Sequence, residues 1–395
     1  MRLGAAAYAA VAIMGACAPA GRSTPVAASP AVDPRFDPVL RYLRSQVDTA
    51  FPGAVVAVGR HDQILLLQAI GHYGVDDPQP VTSETIYDMA SLTKVVGLTT
   101  AAMMLVSAGT LDLDAPVQRY LPAFHGAGKE RVTIRHLLTH ASGLPAWRPL
   151  YREASSREDA LMLVDTTPLL HQPGGTFVYS DLGAIVLTQA VEAVAREPLD
   201  RFLETRLFGP LGMHATRFLP PQSWRSRIAP TENDSAFRHR VLRGEVHDEN
   251  AGRLGGVSGH AGLFGTAGDL ARFAQWLLEL RGARLTPGRR PGVSRPHLPS
   301  ALVLEFTRRQ DLPPGTSRAL GWDTPSRNSS AGTKLSASAF GHTGFTGTSV
   351  WIDPEKDLFI ILLTNRVNPT RANTKILQVR RRVADLVVEA VTPLR

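Results

Sequence analysis

The most informative stretch of the chain is residues 89–96, which read Met-Ala-Ser-Leu-Thr-Lys-Val-Val. From Leu92 onward, apolar residues recur with the spacing of a helix until Gly109, and glycine commonly ends a helix. Ser91 is therefore predicted to lie at a helix N-terminus, with Lys94 one turn further along on the same side.

Ser91 and Lys94 together have the chemistry of an activated nucleophile. A serine hydroxyl reacts poorly unless a neighbour takes its proton, and a lysine can take it when burial and nearby positive charge lower its pKa. The chain has only five lysines, and this is its only Ser-x-x-Lys sequence. The alternative interpretation is a helix-capping serine beside a surface lysine.

Two further segments carry candidate site residues. Residues 173–181 form a turn and a short extended run that leads into an apolar helix over 182–194, with Tyr179 at the join. A tyrosine at this position can relay a proton between a nucleophile and a leaving group, whereas Ser180 or Asp181 could simply be the N-cap of the helix. Residues 340–348 precede a strand and contain three glycines, which allow a ligand to approach the backbone closely.

These segments together carry a family resemblance. In chain order, they contain the three motifs Ser91-x-x-Lys94, Tyr179-Ser180-Asp181 and His342-Thr343-Gly344. This combination resembles the serine β-lactamase and penicillin-binding-protein superfamily, and is most similar to its class C β-lactamase-related hydrolases, which include esterases, DD-peptidases and D-aminopeptidases. The similarity runs over most of residues 36–391 and includes the phrase TIRHLLTHASGLP at 133–145.

The resemblance implies a role for each motif. Ser91 would be the nucleophile, and Lys94 and Tyr179 would share the general acid and base work. The backbone N–H groups of Ser91 and Phe345 would form an oxyanion hole for the tetrahedral intermediate. No metal and no organic cofactor is implied.

Two residues depart from the β-lactamase pattern and bear on the substrate, which Asp181, His342, Thr343 and Gly344 are expected to contact. Where many members carry asparagine, Asp181 offers only acceptors and a negative charge, so we expect it to pair with Lys94. Where β-lactamases carry lysine, His342 is mostly neutral at pH 7. Both changes favour ester or peptide hydrolysis over efficient β-lactam hydrolysis.

Four other histidines are candidate site residues. In class C relatives the loop before the helix that starts near Thr266 borders the cleft, so the resemblance implies that His247 and His260 line the acyl pocket or steady this loop; ordinary loop hydrogen bonding is the alternative. His136 and His140 have i, i+4 spacing, but no third ligand is apparent and no metal site is predicted. The sequence of residues 246–264 also resembles that of penicillin-binding-protein-like members of this group. This resemblance implies a peptidoglycan peptide as a possible substrate.

The ends of the chain predict the fold. Each end carries two apolar strands and one amphipathic helix; these are a helix over 36–49, strands over 54–58 and 64–70, strands over 349–352 and 358–363, and a helix over 374–391. We therefore expect an α/β fold of the α+β type, with an antiparallel sheet flanked by helices. The sheet lobe would span about 36–90 and 335–391, and a mainly helical lobe with loops about 91–334. The resemblance implies the β-lactamase/transpeptidase-like architecture.

Composition limits the classes of function. The 395 residues are 44% hydrophobic, which is enough for a large packed core, and the net charge is +8. No basic run is interleaved with aromatic residues, so no nucleic-acid partner is predicted. The single cysteine, Cys17, excludes disulfide frameworks and cysteine-based zinc sites from the folded part.

The N-terminus predicts export. Residues 1–16 begin with Arg2 and continue as an apolar run rich in small residues, as in a secretory signal. Small residues directly before Cys17 resemble a bacterial lipoprotein signal, with Cys17 as the lipidated first residue of the mature chain; ordinary signal cleavage near residues 18–20 is the alternative. Residues 17–35 would be a flexible tether. We expect a periplasmic or cell-envelope location, with membrane contact only through this lipid.

The sequence thus predicts an exported serine hydrolase that acts on an ester or amide, small-molecule or peptide, through an acyl-enzyme at Ser91. The enzymatic alternative is a peptidoglycan DD-carboxypeptidase or endopeptidase, or a weak β-lactamase. An alternative of another class is a non-catalytic cell-wall binding protein. The combination of Ser91, Lys94 and Tyr179 favours an enzyme, because a binding module does not require a base beside a serine.

Overall fold

The structure is a computed structural model, and it describes residues 33–282, 295–327 and 329–392. The predicted export signal, Cys17 and the tether up to Val32 lie outside the described residues. Among those described, no helix has the length and apolar character needed to cross a membrane.

The central sheet is antiparallel and joins the two ends of the chain. In chain order the strands are β1 Gly53–Gly59, β2 Ile64–Gly74, β3 Asp77–Pro80, β4 Tyr87–Asp88, β5 Arg217–Phe218, β6 Asn233–Asp234, β7 Arg240–Val241, β8 Leu263–Gly265, β9 Phe340–Thr343, β10 Ser349–Asp353 and β11 Leu358–Thr364. Six of them form the main sheet in the order β3-β2-β1-β11-β10-β9. Val56 lies opposite Leu362 in the β1–β11 pair, so the predicted sheet with strands from both chain ends is confirmed.

The helices surround this sheet and fill the middle of the chain. They are α1 Asp37–Arg44, α2 Thr100–Ser107, α3 Ile134–Leu138, α4 Leu150–Glu153, α5 Arg157–Thr166, α6 Asp181–Ala195, α7 Leu199–Leu203, α8 Gly209–Leu211, α9 Glu249–Arg253, α10 Ala267–Leu280, α11 Ser300–Thr307 and α12 Ile376–Val391. A π-helical turn, Lys94–Thr99, precedes α2, and a second one, Glu204–Phe208, joins α7 to α8.

Helices cover the sheet because its central strands are apolar throughout. Every residue of β1 and β11 is buried, so both faces of the sheet need a covering layer. Helix α10 packs against β1 and β11, while α12 packs against α1 and β11. The helix predicted over 36–49 is shorter than expected and ends at Arg44. The chain then turns toward β1, with a φ of 59° at Asp48.

A smaller sheet positions the segment that carries Ser91. Strand β8 pairs with both β4 and β5, with Phe264 opposite Asp88. Because β4 ends three residues before Ser91, this pairing anchors the start of the nucleophile's turn to the helical lobe.

Truncation of a central strand residue is expected to destabilise the fold. Ile361 on β11 is fully buried, so Ile361→Ala should lower the free energy of unfolding by about 2–5 kcal/mol through lost burial and the cavity that remains. Ile64→Ala is the matched control, because Ile64 is 44% exposed, and it should change stability by less than about 1 kcal/mol. Urea unfolding followed by circular dichroism measures both; equal losses would contradict the assignment of β11 as a central strand.

Candidate active site

Ser91 lies at the end of a strained turn that a buried carboxylate holds in place. Ala90, directly before it, has a φ of 46°, which is unusual for a residue with a side chain. The Asp88 carboxylate accepts hydrogen bonds from the backbone N–H of Ala90, at 2.8 Å, and of His247, at 2.7 Å. The turn that presents Ser91 is thus tied to the loop around residue 247.

Lys94 is buried beside Ser91 and pairs with Asp181. Its Nζ donates to Ser91 Oγ at 3.1 Å and to the backbone oxygen of His260 at 2.8 Å. The same Nζ lies 2.7 Å from Asp181 Oδ1, as expected from the sequence. Because Lys94 is only 3% exposed, the alternative of a surface lysine beside a capping serine is wrong.

The charge state of Lys94 depends on the balance between burial and its neighbours. Burial by itself would lower the pKa of this ammonium group, but the Asp181 carboxylate and Tyr179 outweigh it and hold the pKa above its usual value. A lowered pKa would need a neighbouring positive charge, and the structure places the Asp181 carboxylate next to Lys94. In the free protein Lys94 is therefore a cation that stabilises negative charge on Ser91 Oγ.

Tyr179 lies among cationic and aromatic groups. Its ring centroid is 4.5 Å from that of His140 and 5.9 Å from that of His342. Lys94 Nζ and the guanidinium carbon of Arg318 lie 5.1 Å and 5.4 Å from the same centroid. The structure thus brings the predicted proton relay next to the predicted nucleophile.

Two buried histidines beside Tyr179 are neutral. Burial, with Arg318 and Lys94 as further causes, holds the pKa of both His140 and His342 well below the usual value. His342 Nδ1 lies 2.8 Å from the Thr343 carbonyl oxygen, which can only accept, so this nitrogen carries the proton. Among the described residues, no partner hydrogen-bonds to His342 Nε2, which is left as an acceptor beside the cleft.

Sequence reasoning grouped His140 with His136, but the two have separate structural roles. His140 Nδ1 accepts the backbone N–H of Ser180 at 3.2 Å, whereas His136 Nδ1 accepts the backbone N–H of Thr133 in the cap of α3. His140 has a φ of 56° and starts the return of the chain toward Tyr179. A signal for this role was absent from the local spacing, because Ser180 is forty residues away in sequence.

The His-Thr-Gly segment packs against the turn that carries Ser91. The Thr346 hydroxyl donates to the backbone oxygen of Asp88 at 2.7 Å, and the Thr348 hydroxyl donates to that of Met89 at 2.9 Å. A Cβ at Gly344 would lie 2.4 Å from the Met89 oxygen, so only glycine permits this approach. The loops that carry the two predicted oxyanion-hole donors, Ser91 and Phe345, are therefore in direct contact.

His247 and His260 are buried in the loop that precedes β8. His260 lies 2.9 Å from Asp248 through Nε2 and 2.7 Å from the Ser258 hydroxyl through Nδ1, and only its backbone oxygen reaches Lys94. His247 Nε2 contacts the Glu232 carboxylate at 2.9 Å. Of the two placements that the resemblance implied, these side chains take the one that steadies the loop, and neither is among the residues that line the cleft.

The cleft itself is a cavity of about 790 Å³. Ser91 and Tyr179 lie on its wall together with the His-Thr-Gly segment, residues 342–344, and Phe345. Arg318, which sequence reasoning missed, also lines it, as do Arg366, Arg380 and Arg381. The cavity is thus lined by a nucleophile, a proton relay and several positive charges.

Comparison with known proteins agrees with this geometry. Residues 39–385 match the family model described as Beta-lactamase. The chain belongs to the beta-lactamase family. It is a serine hydrolase, in keeping with the enzymatic names of its relatives. A putative D-alanyl-D-alanine carboxypeptidase of Salmonella typhi is 32% identical over 375 residues, covering 85% of this chain and 83% of the relative.

Solved structures show the same β-lactamase/transpeptidase-like fold. The hydrolase EstCE1, described as having promiscuous acyltransferase activity, has a TM-score of 0.69 and 24% identity, over 90% of this chain and 98% of that one. A penicillin-binding-protein homologue from Caulobacter crescentus has a TM-score of 0.73 and 18% identity, over 92% and 99% of the two chains.

Removal of the Asp181 charge is expected to move the pH dependence of activity. In Asp181→Asn the main charge that raises the Lys94 pKa is gone while burial remains, so the pKa of Lys94 falls. If a neutral Lys94 is needed to accept the Ser91 proton, the rising limb of kcat/KM against pH moves to lower pH. Hydrolysis of p-nitrophenyl acetate between pH 5 and pH 10 measures it. An unchanged or alkaline-shifted limb would show that Lys94 does not act as the base.

Proposed function

We propose that this hydrolase is a DD-carboxypeptidase-type enzyme that removes the C-terminal residue of a peptide through an acyl-enzyme at Ser91. Ser91 Oγ attacks the last peptide carbonyl, its proton passes to the leaving amine, and the C–N bond breaks. Water then attacks the Ser91 ester and returns the proton to Oγ. The products are the shortened peptide and a free amino acid.

The arrangement around Ser91 supplies groups for each proton transfer. Lys94 contacts both Ser91 Oγ and Asp181, so it can pass a proton to the carboxylate as it takes one from the hydroxyl. Tyr179, which lines the same cleft as Ser91, would return a proton to the leaving amine. The N–H groups of Ser91 and Phe345 would bind the oxyanion.

Arg318 is the reason for proposing a peptide substrate with a free C-terminal carboxylate. Its guanidinium lies in the Ser91 cleft, 5.2 Å from the Phe177 ring and 5.4 Å from the Tyr179 ring. Its Nη1 is buried and has no hydrogen-bond partner among the described residues, nor does any described carboxylate pair with Arg318. A guanidinium held in this state matches the planar, bidentate geometry of a carboxylate.

The names of the relatives support the same substrate class. A carboxypeptidase must recognise a terminal carboxylate, and the Salmonella proteins that match most of this chain carry that name as putative D-alanyl-D-alanine carboxypeptidases. Peptidoglycan stem peptides end in such a carboxylate, so we place them first among candidate substrates.

Ester hydrolysis is the second candidate. The observation that favours it is the neutral state of His342, because the cleft there lacks the cation that lysine would supply. EstCE1, which shares the fold, is described as a hydrolase with acyltransferase activity.

Arg318→Gln separates the two functions. For a peptide ending in D-alanyl-D-alanine, kcat/KM should fall about 10-fold to 100-fold, the worth of a hydrogen bond to a charged group. The same variant should hydrolyse p-nitrophenyl acetate within about threefold of wild type, because that ester has no carboxylate. High-performance liquid chromatography of released D-alanine measures the first rate and absorbance the second.

The matched control is the same peptide with an amidated C-terminus, which wild type should cleave as slowly as Arg318→Gln cleaves the free acid. Ser91→Ala should abolish both activities and the fluorophosphonate adduct seen by intact mass spectrometry. Equal losses on peptide and ester in Arg318→Gln would contradict the carboxypeptidase assignment. The absence of any Ser91 adduct in folded wild type would contradict the acyl-enzyme and favour a binding protein.

We also propose that the enzyme is exported and anchored in the cell envelope through lipidated Cys17. A periplasmic location would bring it to peptidoglycan. Cys17→Ala should move the protein from the membrane fraction to the soluble periplasmic fraction and abolish incorporation of an alkyne-labelled fatty acid. Label incorporation that persists in the variant, or a soluble wild-type protein without label, would favour ordinary signal cleavage.

A further inference from the structure

Two buried arginines contact the loop that carries Phe345, and both also line the cleft. Arg366 follows β11 and Arg380 lies in α12, and each is 6% exposed. No carboxylate among the described residues forms an ion pair with either guanidinium. Burial lowers the pKa of both groups. For Arg366 the Glu232 carboxylate partly opposes this lowering, and for Arg380 the nearby Arg366 lowers the pKa further. The protein thus keeps two buried positive charges without direct counterions, which is costly.

Arg380 donates to two backbone carbonyls of this loop, whereas Arg366 donates to one of them and to the backbone oxygens of Arg371 and Asn373. Arg380 Nη2 donates to the Gly344 oxygen at 2.6 Å and to the Thr348 oxygen at 2.8 Å. Arg366 Nε donates to the Phe345 oxygen at 2.7 Å, and its guanidinium carbon lies 4.3 Å from the centroid of the Phe345 ring. The backbone carbonyls of residues 344, 345 and 348 are therefore held by cations.

The bond to Gly344 has a consequence at Phe345, because both groups belong to one peptide unit. The carbonyl of Gly344 and the N–H of Phe345 lie at opposite ends of a planar trans amide and point in opposite directions. A cation that draws the carbonyl backward therefore turns the N–H forward, away from Arg380. A charge-assisted bond at the oxygen also polarises the amide and makes its N–H a stronger donor.

The charge itself favours the transition state. As the tetrahedral intermediate forms, negative charge develops on the substrate oxygen, and fixed positive charge in a site of low dielectric stabilises it without reorganisation. The missing counterion of the two arginines would thus be supplied during the reaction by the oxyanion. The cost of burying the cations is then offset only when the intermediate is present. Catalysis requires such an interaction, which is stronger in the transition state than in the ground state.

We propose that Arg380, assisted by Arg366, is a positioning residue of the oxyanion hole that orients and polarises the Gly344–Phe345 peptide. This role rests on the proposed acylation of Ser91, but not on the choice of a peptide substrate. Neither arginine touches the reacting atoms in this scheme.

The test compares Arg380→Met with Arg380→Lys, using p-nitrophenyl acetate as substrate and phenylboronic acid as a tetrahedral analogue. Arg380→Met should lower kcat/KM about 30-fold and raise the inhibition constant of the boronic acid by a similar factor, somewhat less than the loss of a direct oxyanion donor. Arg380→Lys retains the charge and should stay within about fivefold of wild type on both measures.

Lys129→Met is the matched control for the loss of a buried cation. Lys129 is 1% exposed, its Nζ donates to the backbone oxygen of Asp165, and it does not line the cleft. The Lys129→Met variant should have lower thermal stability than wild type, with kcat/KM and the boronic acid inhibition constant both within twofold of wild type. If Arg380→Met does not fold, Arg366→Met replaces it in the test. This variant should raise the inhibition constant of the boronic acid about tenfold through loss of the bond to Phe345.

The outcomes separate this proposal from the proposed function. Unchanged boronic acid affinity in folded Arg380→Met, with Ser91 still labelled by a fluorophosphonate, would overturn the role of Arg380 alone. An equal loss in Arg380→Lys and Arg380→Met would overturn the role of the charge. Absence of the Ser91 adduct from wild type would instead overturn the acyl-enzyme itself.

Discussion

The contact between residues 88–91 and 344–348 is the constraint on which the site depends. Two threonine hydroxyls, from Thr346 and Thr348, bond to the carbonyls of Asp88 and Met89, which are more than 250 residues away in sequence. This contact is possible because β1 and β11 pair at the centre of the sheet and bring the two ends of the chain together. Without that pairing, the N–H groups of Ser91 and Phe345 would lie on unconnected loops.

Around this contact, charge is distributed so that the cleft favours anions. Lys94 is largely neutralised by Asp181, and His140 and His342 are neutral because they are buried. Arginines supply the remaining charge: Arg318, Arg366 and Arg380 all line the cleft, and the last two also bond to the Phe345 loop. An anionic substrate group and an anionic transition state would therefore meet different arginines, so binding and rate can be changed separately by mutation.

Local sequence patterns predicted the central strands of the fold better than the charge states of the site residues. The strands at 54–58 and 358–363 were recognisable because a strand buried on both faces is a continuous apolar run, and both lie within the observed β1 and β11. The same patterns did not predict the direction in which the pKa of Lys94 is shifted. The shift depends on the balance between burial and a neighbouring carboxylate, and only the folded structure reveals that balance.

By itself, the sequence predicted four strands of the main sheet and the helices near both chain ends. It also pointed to Ser91, Lys94, Tyr179 and the His342 segment as site residues, because these predictions rest on short spacings and recognisable motifs. Tertiary structure alone decided which arginines face the cleft, which histidines only steady a loop, and how the oxyanion loop is held. Arg318 and Arg380 carry no local signal, since arginine is common in this chain and their roles arise from contacts across distant segments. Motifs record chemistry that is local in sequence, whereas charge and hydrogen bonding in a cleft depend on every segment that folds around it.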